Sequence, residues 1–367
     1  MVQFLLTRGR KSIRQVAIGS VMLLLLLVPG WAGKRQKDSI TQVSGPELLL
    51  EGGRKLTWER SFSLEREVKP KRTFWTKLID IAIGPPDFRY LVDPYSVTTD
   101  SHGRIIVTDP GANGVHVFDF AQQKYKFLTR RDKEKDFTLT PQCVAVDAQD
   151  NIYVTDSEAG KIFVWDAGGK YKRAIGSLKG GEGYFKRPTG IAVDSAAQRI
   201  YVTDTLRNKI YVTDMNGSVL QAIGKTGTGP VEFNYPTELR LHGDELVVVD
   251  AMNFRVQVLD RSGNFRYSIG KIGDGAGWMF RPKGIGFDSE DHLYVVDGAW
   301  SVVQVFNQQG QLLYYFGQKG TGSGEFQLPT GLQIDSNDRV YVVDSYNRRV
   351  QVYHYQGLPK QAQERKP

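Results

Sequence analysis

Two short stretches, Pro329-Thr-Gly-Leu-Gln-Ile-Asp335 and Val340-Tyr-Val-Val-Asp344, decide the fold of this chain of 367 residues. Each is an apolar run rich in β-branched residues that ends in aspartate, which is typical of a strand followed by a turn. The proline-led stretch recurs upstream at intervals of 46 to 48 residues. Its other copies begin at Pro94, Pro141, Pro188, Pro236 and Pro282. A fixed interval of this size indicates an array of one supersecondary unit.

Each repeat continues beyond these two strands. A third strand follows, such as Val350-Gln-Val-Tyr353, and a fourth ends in Ile-Gly or Phe-Gly, for example at Gly270 and Gly317. Four short strands in a repeat of this length predict one blade. Six repeats over residues 73–356 therefore predict an all-β protein, a six-bladed β-propeller of four-stranded blades.

The sixth repeat stops after its third strand, at about Tyr355, and runs into a polar tail over residues 357–367. The stretch Leu78-Ile-Asp-Ile-Ala-Ile-Gly84 matches the fourth strand of the other repeats, such as Arg173-Ala-Ile-Gly176. We therefore predict that an N-terminal strand closes the last blade, which would remove the open sheet edges.

The repeat resembles the NHL-repeat family. Asp344-Ser-Tyr-Asn-Arg-Arg-Val-Gln-Val352 is the clearest copy of the motif, and Asp250-Ala-Met-Asn-Phe-Arg-Val-Gln-Val258 is the next. The resemblance covers about residues 75–355 and implies the propeller fold. It also implies several functions, because such propellers include binding modules, RNA-binding proteins, and lyases or lactonases that hold Ca²⁺ or Zn²⁺ in the central channel.

The N-terminal segment has the pattern of an export signal. Basic residues at Arg8, Arg10, Lys11 and Arg14 precede an apolar stretch over residues 16–32, and small residues follow. This order predicts a signal peptide over residues 1–33. The stretch also reaches the lower limit for a membrane span, so an uncleaved anchor is the alternative. Residues 34–72 are polar and predict a linker, and the folded body is expected in the periplasm or outside the cell.

The charge distribution argues against nucleic-acid binding. Residues 1–80 carry 15 Lys or Arg and 7 Asp or Glu, whereas residues 81–367 carry 33 of each. The net charge of +8 therefore belongs to the N-terminal segment, and the body has no excess field that would attract a polyanion. The chain has one cysteine, Cys143, so no disulfide can form within it.

The fourth repeat breaks the pattern of its inner strand. It has Glu238, Arg240 and His242 where the third repeat has Gly190, Ala192 and Asp194. Alternate residues of a strand share one face, so these three side chains are candidates for a site in the central channel. Glu238 could be a ligand or base and Arg240 an anion contact. The competing interpretation is a structural ion pair that fills space.

Familiar catalytic patterns are not found. The chain has five histidines, at positions 102, 116, 242, 292 and 354, with no spacing typical of a metal site, and it lacks a Gly-x-Ser-x-Gly motif. The aspartates that end the second strands, such as Asp250 and Asp344, are predicted to accept hydrogen bonds from their own turns. The Gly-rich segments lead into strands and are predicted to be interblade loops. The sequence predicts no cofactor and no metal.

One face of the propeller collects the interblade loops and the turns between second and third strands. Aromatic and basic residues there are typical anchors of binding surfaces. The candidates are Trp278, Trp300, Tyr184, Arg187, Tyr235, Lys283 and Tyr346, whereas the recurring Phe185, Phe233, Phe280 and Phe326 are predicted to be core. We therefore expect a non-enzymatic binding or scaffold module for a protein, peptide or glycan. An uncleaved N-terminal segment would tether this module to the membrane. The alternative is a metal-dependent lyase or lactonase.

Overall fold

The computed structural model describes residues 45–69, 87–129, 138–176, 185–273 and 275–358. Within them the chain forms six antiparallel sheets, each of which is one blade. The predicted six-bladed β-propeller is confirmed. Among the described residues, no helix is long and apolar enough to cross a bilayer.

The blades follow the repeats. The strands of each blade are given from the central channel outwards. Blade 1 has Ser96–Thr99, Ile105–Asp109, Gly114–Asp119 and Lys124–Leu128; blade 2 has Pro141–Val146, Ile152–Asp156, Lys161–Trp165 and Tyr171–Ile175; and blade 3 has Pro188–Asp194, Arg199–Asp204, Lys209–Asp214 and Val219–Ile223. Blade 4 has Pro236–His242, Glu245–Asp250, Arg255–Asp260 and Phe265–Ile269; blade 5 has Pro282–Phe287, Leu293–Asp297, Val302–Phe306 and Leu312–Phe316; and blade 6 has Pro329–Ile334, Arg339–Asp344, Arg349–Gln356, Lys55–Phe62 and Glu47–Leu49.

Other elements are short. Lys225–Thr226 pairs in parallel with Glu232–Phe233 in the loop before blade 4. The helix Glu65–Val68 leads away from blade 6, and three-residue 3₁₀ turns lie at Glu51–Gly53, Thr205–Arg207 and Ala251–Asn253.

The core lies between the blades. One buried cluster joins Val350 and Phe62 of blade 6 to Val107 and Phe118 of blade 1, and five similar clusters pack the described faces of the other blades. The inner strands contact one another in sequence, and the last contacts the first. Both faces of each sheet are therefore buried against neighbours, which explains the nearly continuous apolar runs of the second strands.

An N-terminal strand closes blade 6, as predicted, but it is Lys55–Phe62. The predicted segment, residues 78–84, lies outside the described residues. The strand falls within the stretch predicted to be a polar linker over residues 34–72, so that part of the prediction is wrong. Leu56 and Phe62 are 2 % exposed and carry the apolar signal, whereas Glu59 and Arg60 between them obscure the strand alternation. A register shift between Trp58 and Arg60 breaks the period further.

The loops before the inner strands and the turns after the second strands lie on one face, which we call the loop face. Asn253 of a turn donates to the carbonyl oxygen of Gly227 in the preceding loop, at 2.8 Å. Asn347 donates to Gly320 in the same way, at 2.9 Å. The inner strands therefore begin at the loop face and end at the opposite face.

Candidate functional site

The central channel is narrow near the loop face because neighbouring inner strands almost touch. A Cβ atom added at Gly284 would lie 2.4 Å from the backbone nitrogen of Leu332, and one added at Gly331 would lie 2.7 Å from the Cα atom of Ser96. A larger residue at either position would push the strands apart. The cavity at this level has about 10 Å³, which is the space of one water molecule.

Glu238 and Arg240 fill the channel below this cavity. The Glu238 carboxylate lies 3.7 Å from Nε of Arg240 and accepts a hydrogen bond from Sγ of Cys143, at 3.2 Å. The Arg240 guanidinium donates to the backbone oxygens of Leu332, at 3.0 Å, and Ile285, at 3.4 Å. Burial raises the pKa of Glu238, while Arg240 opposes the rise. These contacts match the interpretation as a structural ion pair.

His242 does not join the other two channel candidates. It is the last residue of the same strand, at the opposite face, where its Nε2 lies 2.9 Å from Asp291. Its ring stacks on Phe287 with centroids 3.9 Å apart. The strand period placed the three residues on one side of the strand, but the length of the strand separates His242 from Glu238.

The strand-end aspartates fix the segment before the inner strand as well as their own turns. Asp109, Asp156, Asp204, Asp250, Asp297 and Asp344 are fully buried, and all accept hydrogen bonds from backbone N–H groups of that preceding segment. Asp109, Asp156 and Asp297 also accept from N–H groups of their own turns. The prediction of a structural role is therefore confirmed.

One group of ligand-type side chains lies on the opposite face. Asp100, His102 and Asp150 bring their ligand atoms within 4.8 Å of one another. Ser101 donates to Asp150 through both its backbone and its hydroxyl, and Ser289 makes the same two contacts with Asp338 between blades 5 and 6. The same serine–aspartate contact occurs between blades 5 and 6 without a histidine. We therefore interpret it as a structural link between adjacent blades.

Blades 4 and 6 hold the preceding loop with a polar clasp of three side chains. In blade 6, Glu325 accepts from the backbone nitrogen of Gly322, at 2.8 Å, and Asn347 and Arg349 donate to loop carbonyls and to Asp344. The matching residues of blade 4 are Glu232, Asn253 and Arg255, and they make the same kinds of contact. Each clasp fixes its loop through charge-assisted hydrogen bonds.

Blade 5 lacks the clasp and has Trp278, Trp300 and Val302 at the three matching positions. The equivalence is geometric as well: a Cβ atom added at Gly273 would meet the Trp278 indole, just as one added at Gly320 would meet Glu325. The three apolar side chains and Tyr315 line a groove of about 340 Å³, which we call the blade-5 groove. Gly275, Ala276, Gln304 and Leu312 complete its lining.

The groove has a further aromatic side chain that blades 3 and 4 lack. Tyr315 lies on the outermost strand, where blades 3 and 4 have Ala222 and Ser268 at the matching position. Trp300 is 47 % exposed and Tyr315 is 60 % exposed. The ammonium group of Lys271 lies 4.3 Å from the Trp278 ring centre, a cation–π distance.

One predicted core residue extends this surface instead. Phe185, Phe233 and Phe326 are buried as predicted, but Phe280 is 53 % exposed and Met279 takes the buried place in blade 5. The spacing explains the error, because the buried residue lies three positions before the strand proline and Phe280 lies only two before it. The Phe280 ring packs edge-on against Trp300, with centroids 6.4 Å apart.

The other loop-face candidates are spread around the ring. Tyr235 and Tyr346 are exposed and belong to the loop before blade 4 and the turn of blade 6. Tyr184 lies outside the described residues. Arg187 and Lys283 flank the mouth of the channel, where the Lys283 ammonium lies 5.6 Å from the ring centre of Tyr95. Sequence reasoning did not single out Tyr95, which follows the first strand proline.

A family model described as a 6-bladed beta-propeller, DUF5128, matches residues 140–202, 191–241, 234–299 and 287–364. The chain belongs to the DUF5128 family. No curated protein matches it.

Solved structures share the fold of this DUF5128 propeller at low identity. Virginiamycin B lyase from Staphylococcus aureus is 16 % identical with a TM-score of 0.53, over 82 % of this chain and 99 % of the lyase. An auxiliary nutrient binding protein from Bacteroides thetaiotaomicron is 13 % identical, with a TM-score of 0.57 over 73 % and 70 %. XC5397, a gluconolactonase from Xanthomonas campestris, is 15 % identical, with a TM-score of 0.56 over 85 % and 98 %. Their varied roles leave the function to the site itself.

Proposed function

We propose that this DUF5128 protein is an exported, NHL-type propeller that binds a protein, peptide or glycan partner through the blade-5 groove and does not act as an enzyme. The observation that carries the proposal is the exposed apolar groove that Trp278, Trp300 and Val302 form at the positions where blades 4 and 6 have the polar clasp. Blades 1 to 3 also lack the complete clasp in sequence, so its absence alone does not mark a site. Blade 5 differs because the clasp positions hold large apolar side chains that line an open groove, and much of this aromatic surface is exposed.

The size and chemistry of the groove suit recognition of a small unit. A volume of about 340 Å³ is at the lower end of ligand pockets, and it accommodates one side chain or one sugar ring. Trp278 and Trp300 offer large rigid surfaces at low cost in conformational entropy, as binding hot spots do. A similar fold occurs in a solved structure described as an auxiliary nutrient binding protein, which is compatible with a binding role.

The lyase or lactonase alternative receives less support. A metal site needs several inward-facing ligands. In the part of the chain that the structure describes, the channel carboxylate of Glu238 is engaged with Arg240 and Cys143. The signal peptide predicted over residues 1–33 is the ground for proposing a location outside the cytoplasm.

The chain supplies its own control for a test. The triple substitution Trp278→Glu, Trp300→Asn and Val302→Arg would install in blade 5 the clasp of blades 4 and 6, so the fold should be kept. Purified wild-type protein is screened against a glycan array and a displayed peptide library, and the triple variant and Tyr346→Ala are then tested on each hit. We expect the triple variant to lose the hits by at least tenfold in affinity and Tyr346→Ala to keep them. Equal binding by wild type and the triple variant would refute the proposal.

A further inference from the structure

The mouth of the central channel carries a second, cationic surface that is independent of the blade-5 groove. Arg187 and Arg281 directly precede the strand prolines of blades 3 and 5, and Lys283 directly follows the latter. Their backbones are fixed, because the N–H groups of Arg187 and Arg281 donate to Asp204, at 3.1 Å, and Asp297, at 3.2 Å. Among the described residues, none of the three side chains has a carboxylate within 4.0 Å.

Lys283 is the innermost of the three cations. Its ammonium group reaches across blade 6 to Tyr95 of blade 1 and so points into the channel mouth. Burial, together with the charges of Arg281 and Arg187, lowers the pKa of Lys283 to about 8. The opposing effect of Cys143 is smaller than those of burial and Arg281. Both arginines are therefore close enough to oppose the protonation of Lys283, and the carboxyl group of Glu238 lines the same small cavity.

Two hydroxyl groups without partners among the described residues line the same small cavity as Lys283. Oγ1 of Thr237 and Oγ1 of Thr330 are buried and have no hydrogen-bond partner in the described structure. They belong to blades 4 and 6, so they flank Lys283 of blade 5, and all three residues line the small cavity above Glu238. A buried hydroxyl without a partner is costly, which indicates that water or a ligand completes it. The cavity has room for one water, so a larger group would lie above it.

We propose that the channel mouth binds an oxyanion, such as a carboxylate or phosphate group, between Lys283, Arg187 and Arg281. The two arginines provide forked donors at the rim, and the lysine provides the point charge at the centre. Thr237 and Thr330 orient a water molecule beneath the anion. Glu238 also lines the cavity, and its Oε1 has no hydrogen-bond partner among the described residues, so the water molecule donates to it while Arg240, 3.7 Å away, offsets its charge.

The test uses the purified protein with inorganic phosphate or acetate as the probe, at constant ionic strength in buffer free of other oxyanions. Calorimetric titration gives the affinity, and limiting acetic anhydride followed by mass spectrometry reports the reactivity of each lysine amine. We expect saturable binding at one site, with Lys283 protected from acetylation. Phosphate binding tighter than acetate binding would indicate a phosphate ligand, and the reverse order a carboxylate.

Three variants identify the residues. Lys283→Met and the pair Arg187→Gln with Arg281→Gln should each weaken binding by at least tenfold, because each removes charged hydrogen bonds. Lys225→Met changes another exposed loop-face lysine, which is paired with Glu232, and should leave the affinity unchanged. The exposed arginines keep the test valid even if Lys283→Met alters the channel. Unchanged affinity in the arginine variant, or protection of all lysines alike, would overturn the proposal.

Discussion

Sγ of Cys143 donates a hydrogen bond to the Glu238 carboxylate at 3.2 Å, although the two residues are 95 positions apart and belong to blades 2 and 4. A contact that skips a blade must cross the central channel. Arg240 continues the link to Leu332 of blade 6. Burial raises the pKa of both Cys143 and Glu238. The channel is therefore tied across its axis by side chains rather than left as an open pore.

Glu238→Ala should destabilise the propeller by about 3 kcal/mol, because it leaves the Arg240 guanidinium buried without its carboxylate. Urea unfolding followed by circular dichroism measures the loss. Glu238→Gln retains an oxygen that can accept from Cys143 and should have a smaller effect. An unchanged urea midpoint for Glu238→Ala would show that the carbonyl oxygens of Leu332 and Ile285 suffice for Arg240.

Shortening the chain at its N-terminus tests the closure of blade 6. A chain that starts at residue 70 lacks Leu56 and Phe62, each of which contributes roughly 1.5–3 kcal/mol by burial, and it leaves the edge of Arg349–Gln356 unpaired. We expect it to aggregate or to melt well below a chain that starts at residue 45. Size-exclusion chromatography and thermal unfolding distinguish the two. A chain that starts at residue 51 loses only the strand Glu47–Leu49 and should behave almost as the longer one does.

The polar clasp should matter for stability where it exists and not in blade 5. Arg349→Ala removes donors to Asp344 and to three loop carbonyls, so we expect a loss of about 2 kcal/mol in the free energy of unfolding. Trp300→Ala should cost less than about 1 kcal/mol because nearly half of the side chain is exposed. Urea titrations of the two variants provide the comparison. A larger loss for Trp300→Ala would make Trp300 a core residue and weaken the proposed groove.

Lys283 should make stability depend on pH in the alkaline range. The folded chain has a pKa of about 8 for this amine against an ordinary value of 10.5, so protonated Lys283 disfavours folding. This penalty is full below pH 8 and fades as the pH rises towards 10.5. It is about 3 kcal/mol at most.

Lys283→Met should therefore be more stable than the wild type at pH 7, and its advantage should shrink by pH 9.5. Urea unfolding in buffer without oxyanions measures both. Tyr95, Cys143, Arg187, Arg281 and Glu238 surround the amine and are unchanged in the comparison. A difference that stays constant with pH would mean that Lys283 keeps its ordinary proton affinity.

The sequence predicted the blades but not the contacts between distant ones. Proline spacing and strands such as Val340-Tyr-Val-Val-Asp344 repeat locally, so the fold and the strand-end aspartates could be predicted. The strand Lys55–Phe62 was missed because its charged residues face solvent on the ring edge, where no alternation is required. Glu238 was recognised as a break in the repeat, but its partner Cys143 could not be predicted. The strand period shows on which face of the strand a side chain lies, but it does not show which residue across the channel the side chain contacts.

The sequence predicted some of the residues of the blade-5 groove but not the groove itself. Trp278 and Trp300 stood out as exposed aromatics. That the two side chains line one groove became clear only from a comparison with Glu325 and Asn347, which form the polar clasp at the same positions in blade 6. Phe280 was assigned to the core because its type matched the other repeats, although its distance from Pro282 differed by one residue. Register, rather than residue type, decides burial in such a repeat.

The pairing of Lys55–Phe62 with Arg349–Gln356 also sets the order in which the molecule can fold. Nε1 of Trp58 donates to Gln351, 293 positions later, so the strand Lys55–Phe62 is made long before its partner strand. Bringing such distant segments together carries a high loop-closure entropy, and pairings of this kind form slowly. The ring consequently cannot be completed before Arg349–Gln356 has been synthesised. The seam in blade 6 should be the last part to form and the first to open.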